Sequence, residues 1–139
     1  MFWEGLPDMR FKRGISIDGI YFDIPMVSLK RTADVLDKYA ERTEDGELHR
    51  EIIGVYYNYT LNAGSSNAFG DDDYERLWDK LTEPVPFHEI SLPVKNGTYT
   101  FTGYISSVSD EYMKIEEDDA DFKGLTCRFI AKRPARVPG

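Results

Sequence analysis

The sequence has few cysteines and histidines, which many nucleophilic and metal sites use. It contains one cysteine and two histidines in 139 residues. A single cysteine forms no internal disulfide, which is consistent with synthesis in a reducing cytoplasm. The N-terminal part has no basic segment followed by an apolar one, so we expect no secretory signal. No stretch approaches the roughly 18 consecutive apolar residues that a membrane span requires.

The sequence also has fewer basic than acidic residues. There are 17 Lys and Arg against 25 Asp and Glu, and the formal net charge is −8. Nucleic acid and anionic membranes repel such a chain, so we expect no sequence-specific nucleic-acid binding and no membrane partner. Hydrophobic residues still make up 41% of the chain, enough for one buried core. We therefore predict one β-rich domain over residues 14–133, with an N-terminal arm over 1–13 and a C-terminal tail over 134–139.

The candidate catalytic and metal-binding residues have simpler structural interpretations. Asp71–Asp73 suits the start of a helix, where acids cap the chain, and the acidic run at 116–121 lacks the alternating ligands of a calcium loop. Cys127 lies in an apolar alternation, where a thiol is inert. His49 is expected on the surface and His88 in a structural position. No phosphate-binding or nucleophile motif is present, so we predict no catalytic, cofactor-binding or metal site and no enzyme.

A long charged segment followed by an aromatic strand is the dominant pattern in the chain. Lys30–Glu51 contains seven acids and five Lys or Arg, with a turn signal at Asp45-Gly46. Apolar and polar residues then alternate strictly over Ile53–Leu61, as in a half-buried strand. Residues 26–61 are predicted to form one long hairpin with a charged tip, which includes a possible helical turn at Ala33–Tyr39. Long polar excursions are usually functional or disordered, and we interpret this one as an assembly arm.

The remaining segments predict further strands around one helix. Asp18-Gly19 and Asn96-Gly97 are hairpin signals of the type I′ kind. A helix is predicted over residues 71–82, with one apolar stripe and Pro84 as its stop. The predicted fold class is mainly β with one α-helix, built as two packed antiparallel sheets in a sandwich or a flattened barrel.

These elements, in this order, resemble the small tail proteins of phages and prophages of Gram-positive bacteria. The resemblance lies in Arg42-Thr43-Glu44-Asp45-Gly46 followed by Arg50, Tyr57–Leu61, Tyr74–Leu81, and Gly124-Leu125 with Phe129. It covers most of residues 13–133. It implies a tail-tube-like β-sandwich with one helix and no cofactor, a non-enzymatic virion protein of the tail tube or of a ring at its end. Such a subunit assembles with itself, commonly as a hexamer, and with other tail proteins.

In that fold the long loop between early strands reaches over the adjacent subunit. The resemblance therefore implies that the segment Lys30–Glu51 supplies the subunit interface. Its mixed charges suit contacts that set the register between copies. The expected interface residues are Arg31, Tyr39, Arg42, Asp45, His49 and Arg50.

A second function stays open at this point. Tyr56, Tyr57 and Tyr59 lie close together on one predicted strand. Aromatic faces of this kind can stack on sugars or bases, although packing within the sheet also explains them. The alternative is a soluble ligand- or glycan-binding β-sandwich with this strand as its platform.

Overall fold

The computed structural model describes residues 13–65, 69, 73–115 and 120–139. These residues form β1 (Arg13–Ile17), β2 (Ile20–Ile24), β3 (Met26–Arg42), β4 (Leu48–Ala63), α1 (Asp73–Leu81), β5 (His88–Val94), β6 (Gly97–Ile115) and β7 (Ala120–Ala131). The prediction of a mainly β chain with one helix is confirmed. The predicted N-terminal arm before Arg13, the helix-capping Asp71 and Asp72, and residues 116–119 of the acidic run lie outside the described residues.

The strands form one continuous antiparallel sheet rather than two. Their order is β2-β1-β5-β6-β7-β4-β3. Strand β6 explains the difference from the prediction, because it belongs to both halves of the sheet. Its first part, Gly97–Gly103, pairs with β5, and its second part, Gly103–Ile115, pairs with β7. The prediction of two separate packed sheets is therefore not confirmed.

Gly103 sits at the point where β6 changes its partner. A Cβ built on Gly103 would lie 2.4 Å from the carbonyl oxygen of Ile130 and 2.9 Å from the ring of Phe101. The first of these neighbours is backbone, which has little freedom to move aside. Glycine is required here because two backbones approach closely at a bend of the sheet.

The sheet curls until its two outer strands meet at one corner. Strands β2 and β3 lie at opposite ends of the strand order, yet Pro25 alone separates them in the sequence. The backbone N–H of Gly64 donates to the Pro25 carbonyl at 2.7 Å and fixes that corner. In the part of the chain that the structure describes, β2 and β3 do not pair with each other, so the sheet is curled but not closed.

One face of this curled sheet carries the core. The buried apolar side chains alternate along the strands, as a sheet with one buried face requires. Three residues of α1 complete the core on that side. The buried set is Ile15, Ile17, Phe22, Ile24, Tyr59, Leu61, Ala63, Phe69, Tyr74, Leu77, Leu81, Ile90, Leu92, Leu125, Cys127 and Phe129. Each large member stabilises the fold by about 1.5–3 kcal/mol through burial.

The two hairpin signals have different outcomes. Asp18 and Gly19 both have positive φ, 54° and 83°, as the predicted type I′ turn requires. The predicted position of the second turn is wrong by one residue. Val94 pairs with Gly97, so Lys95 and Asn96 form the turn and Gly97 begins β6. The helix runs from Asp73 to Leu81, within the predicted 71–82.

Candidate assembly surface

The hairpin of β3 and β4 extends well beyond the body of the sheet. Its ladder runs from the Met26–Ala63 pair to the Arg42–Leu48 pair, whereas β7 accompanies β4 only along Tyr59–Ala63. The predicted long hairpin is thus confirmed, and the helical turn predicted at Ala33–Tyr39 is wrong. Cross-strand pairing continues through that segment, and the tertiary partner overrides the local helical pattern.

The C-terminal tail marks where the hairpin leaves the body. The N–H of Val55 donates to the Arg136 carbonyl at 2.9 Å, and the N–H of Ala135 donates to the Val55 carbonyl at 2.8 Å. Gly54 lies directly against Pro134. We call residues 36–54, which continue past this point, the ribbon. Between Leu36 and Arg42 it spans about 20 Å at the usual rise of a strand.

The turn at the end of the ribbon is held by its own side chains. The Asp45 carboxylate accepts hydrogen bonds from the Thr43 hydroxyl and, at 3.0 Å, from the N–H of Glu47. These bonds, the one from Thr43 first, lower the pKa of Asp45 below its usual value. Arg42 donates to the Gly46 carbonyl at 2.8 Å, and Gly46 has a φ of +85°. Arg42 and Asp45, two of the expected interface residues, therefore shape the turn.

The structure brings most of the other expected interface residues to the ribbon. Arg50 donates to the Asp37 carboxylate at 2.7 Å, and His49 is exposed opposite Glu41. Tyr39 is exposed on the neighbouring strand. Arg31 does not lie with them. It belongs to the part of β3 inside the sheet, roughly ten residue steps from Arg42.

The ribbon also exposes apolar side chains, and of these only Tyr39 is among the interface residues expected from the sequence. They are each between 44% and 49% exposed, although residues of their type are usually inside. This set consists of Val35 at the base of the ribbon and Leu36, Tyr39, Leu48 and Ile53 within it. No local pattern in the sequence identifies them, because their exposure depends on where β7 stops pairing with β4. Such a group on one narrow element is typical of an interaction surface.

Strand β3 adds a second feature of an interaction surface. It is 17 residues long and lies at the end of the strand order. Within the described ranges, no strand pairs with its outer side, so that side presents backbone N–H and C=O groups to a partner. Long edge strands with exposed apolar residues readily pair with another chain.

A cleft lies on the body, at the opposite end of β3 from the turn. It has a volume of about 370 Å³. Apolar side chains form most of its wall, and its two charged residues are both basic. Its lining is Met26, Leu29, Arg31, Tyr59, Pro93, Val94 and Lys95. We call this feature the cleft.

The tyrosine run forms a packed cluster rather than an open platform. Tyr59 is only 3% exposed, and its ring stacks on Phe101 with centroids 5.6 Å apart. Burial raises the pKa of Tyr59, and the positive charge of Arg31 partly offsets that effect. Tyr57 packs on Tyr99 at 6.3 Å, with the Arg31 guanidinium 5.6 Å from its ring centroid. These contacts fix the wall of the cleft beside Arg31.

A polar cluster lies beneath the helix. Buried His88 contacts the Asp18 carboxylate through Nδ1 at 2.6 Å, and Lys80 Nζ lies 3.6 Å from Asp18 and 3.3 Å from Glu83. Burial acts to raise the pKa of Asp18, but the hydrogen bonds from His88 and the N–H of Glu89 outweigh it and lower that pKa. Asp18, Glu83 and His88 have the types and spacing of metal ligands. The Lys80 ammonium already supplies positive charge to both carboxylates, so the cluster ties α1 to β5 and to the β1–β2 turn.

The remaining nucleophile candidate is inert at neutral pH. Cys127 is buried, and burial raises the pKa of its thiol to about 12. A protonated, enclosed thiol is neither nucleophile nor metal ligand. Among the described residues, no helix is both long and apolar enough to cross a membrane.

Comparison with known proteins gives only weak structural similarity. No protein-family model and no curated protein matches the chain. Among solved structures, a similar chain comes from the virion of a native gene transfer agent (GTA) particle. The two chains are 14% identical, with a TM-score of 0.46 over 96% of this chain and 99% of that chain. This similarity is too low to transfer a function, so the ribbon and the cleft carry the functional interpretation.

Proposed function

We propose that this chain is a non-enzymatic structural subunit of a phage or prophage-derived virion. In the proposal it belongs to the tail tube or to a ring at one end of the tube, and it is made in the cytoplasm of the bacterial host. The observation that carries the proposal is the ribbon, with its exposed apolar side chains and charged turn. The motif order described above, which resembles phage tail proteins, supports it from the sequence.

In a monomer, little stabilising contact offsets the free energy that is needed to order the ribbon. Ordering each backbone residue costs about 1–2 kcal/mol, and an isolated two-stranded hairpin is at best marginally stable. Between Val55 and the turn of the hairpin, no third strand among the described residues covers Leu36, Tyr39 or Leu48. Burial against a neighbouring subunit would offset these costs. The ribbon is therefore best explained as an element that is completed by assembly.

The proposed partners are other copies of this chain and other tail proteins. Because the ribbon and the surface that receives it are different parts of the molecule, the contact between copies would be heterologous. Such contacts close into a ring when the rotation between neighbours allows it. We propose a ring, with six subunits as the expected number, and no cofactor takes part in it.

One observation favours a second candidate, a soluble ligand-binding module. The cleft combines apolar walls with Arg31 and Lys95, which suits a small anionic ligand with an apolar part. Of the three tyrosines in the expected platform, Tyr59 is buried and does not contribute, whereas Tyr56 and Tyr57 are partly buried. Binding of a small ligand to a chain that does not assemble would favour it.

The test of the proposed function is the mass of the full chain in solution. Light scattering across a concentration series, with negative-stain images, should show rings or short tubes of one defined symmetry. The double variant Tyr39→Asp and Leu48→Asp should remain folded and stay monomeric, since it changes only exposed positions. A wild-type chain that is monomeric at every concentration would contradict self-assembly.

A further inference from the structure

We infer that the acidic turn of one copy's ribbon binds in the cleft of the next copy. This inference rests on the proposed assembly and names the surface that receives the ribbon. The turn comprises residues 41–47 and carries the sequence ERTEDGE. The partner is thus a second copy of this chain, recognised through carboxylates.

The turn presents acidic groups that its own structure does not use. Arg42 and Asp45 are engaged inside the turn, as described above. Glu44 and Glu47 have exposed side chains, and Glu41 flanks them on the strand. With Arg42 directed to the Gly46 carbonyl, the outward charge of the turn is strongly negative.

The cleft has the opposite charge in a chain that is acidic as a whole. The formal net charge is −8, yet both charged lining residues, Arg31 and Lys95, are basic. The Arg31 guanidinium lies 5.6 Å from the ring centroid of Tyr57 and also hydrogen-bonds the Tyr59 side chain. Arg31 is nevertheless exposed, and a guanidinium has five N–H donors, so others remain for a carboxylate. The guanidinium of an arginine in such a setting can donate hydrogen bonds to both oxygens of a carboxylate at once, and partial enclosure by apolar walls strengthens the pair.

Geometry excludes a contact within one molecule. The turn and the cleft lie at opposite ends of the same paired strand, because Arg31 pairs with Tyr59 and Arg42 pairs with Leu48. The intervening residues hold them about 35 Å apart at the rise of a strand. A turn can therefore reach only the cleft of another copy. Each copy offers one turn and one cleft, so the contact is head-to-tail and closes into a ring or continues as a filament.

Cysteine cross-linking tests this contact directly. One population carries Glu44→Cys in the turn and a second carries Asn96→Cys beside Lys95. Glu47, Arg31 and Lys95 stay intact, and buried Cys127 does not compete. The mixture should form a disulfide-linked dimer under mild oxidation at least tenfold faster than a mixture of Glu44→Cys with Lys123→Cys, an exposed position on β7. Added salt should slow the specific reaction, since screening weakens charge attraction.

Charge reversal gives an independent test. Arg31→Glu with Lys95→Glu should weaken self-association about tenfold or more, and so should Glu44→Lys with Glu47→Lys. A mixture of the two double variants should recover association, because turn and cleft are again of opposite charge. The matched control reverses the exposed pair of Lys123 and Glu111 together and should leave association unchanged.

The outcomes separate this inference from the proposed function. Rings that form normally while cross-linking and charge reversal have no specific effect would overturn the inference and leave the assembly proposal standing. A chain that neither assembles nor cross-links specifically overturns both. Saturable binding of citrate to the cleft that Arg31→Glu abolishes, without a specific cross-link, also overturns the inference and supports the ligand-binding alternative.

Discussion

The two ends of the β3–β4 hairpin show how the same strands serve two purposes. Inside the body, β4 carries Tyr59 and Leu61 on its inner face, and both are buried. Farther along the same hairpin, Leu36 and Leu48 are about half exposed. Both regions consist of paired, extended chain that carries apolar residues. The difference lies in the neighbour, because β7 and the curled sheet cover the first region, and no described residue covers the second.

This comparison indicates that the body folds by itself and that the ribbon depends on a partner. The body combines a large buried face, a helix and the polar ties of Asp18. The ribbon has cross-strand hydrogen bonds, a turn held by its own side chains and the exposed Arg50–Asp37 ion pair, and such an exposed pair contributes little. Substitutions in the body should therefore change the free energy of unfolding, and substitutions in the ribbon should change assembly.

The largest expected contrast comes from truncating one apolar residue in each region. Phe129→Ala removes a fully buried ring and should lower the free energy of unfolding by about 3–5 kcal/mol. Leu36→Ala on the ribbon should change it by no more than about 0.5 kcal/mol. Urea denaturation at a concentration where the chain is monomeric measures both. Equal losses would show that the ribbon is packed as tightly as the core.

A second contrast uses two glycines at which an added Cβ would contact neighbouring atoms. Gly103→Ala should cost about 2–3 kcal/mol, because its Cβ would meet the Ile130 backbone inside the sheet. Gly54→Ala, where the ribbon leaves the body, should cost about 1 kcal/mol. Its Cβ would lie 2.5 Å from Cβ of Pro134 and 3.0 Å from the Arg136 carbonyl oxygen. Both atoms belong to the C-terminal tail, which a few hydrogen bonds to Val55 hold and which moves more easily than a strand inside the sheet. Thermal unfolding compares the two variants. A smaller effect at Gly103 would argue against the close approach of β6 and β7.

A third contrast concerns two acidic residues and depends on pH. Asp18→Asn should cost about 1–2 kcal/mol at neutral pH, because the carboxylate accepts bonds from His88 and the Glu89 N–H. The folded pKa of Asp18 lies below its ordinary value of 3.8. Its contribution is therefore complete above pH 3.8 and is lost as the pH falls through the folded pKa.

The matched control for this contrast is Asp37→Asn on the ribbon. It removes an exposed ion pair with Arg50 and should change the free energy of unfolding by no more than about 0.5 kcal/mol. Denaturation curves between pH 2 and pH 7 test the pair of variants. A cost at Asp18 that persists at the lowest pH would show that ionisation is not its cause.

The smallest expected effect is at the turn of the ribbon. Asp45→Ala removes the acceptor for the Thr43 hydroxyl and the Glu47 N–H. The turn lies far from the core, so the global free energy of unfolding should change by about 0.5 kcal/mol or less. Exchange of the amides near Gly46 should become faster, and self-association should weaken. Amide exchange followed by NMR separates this local effect from a global one.

Periodicity and turn chemistry were enough to predict most of the elements. The Asp18-Gly19 turn, the alternating strand up to Leu61 and the helical stripe around Leu77 all have strong local signals. Residues 33–39 were harder, because Val35, Leu36 and Tyr39 fit a helix as well as a strand, and only pairing with β4 decides between them. The single sheet could not be predicted either, since it depends on β6 changing its partner at Gly103.

The candidate assembly surface was also predictable only where its features have local signals in the sequence. Its charged turn is local in sequence, and Asp45-Gly46 identified it. The cleft is lined by residues of β3 and β4 together with the end of β5 and the turn that follows it. Lys95 and Arg31 line the same cleft because the sheet curls, and the sequence alone does not predict that curl. Exposure of apolar residues on the ribbon likewise follows from where β7 stops pairing with β4.

In the proposed assembly, a neighbouring copy completes the ribbon. Hydrogen–deuterium exchange of the full chain across a concentration series tests it most directly, with Leu61 and Phe129 as reference sites in the core. We expect core amides to be protected at every concentration, and amides over 36–54 to exchange rapidly when the chain is dilute and to become protected as it assembles. Ribbon amides that are as protected as the core at the lowest concentration, with no change on concentrating the chain, would contradict it.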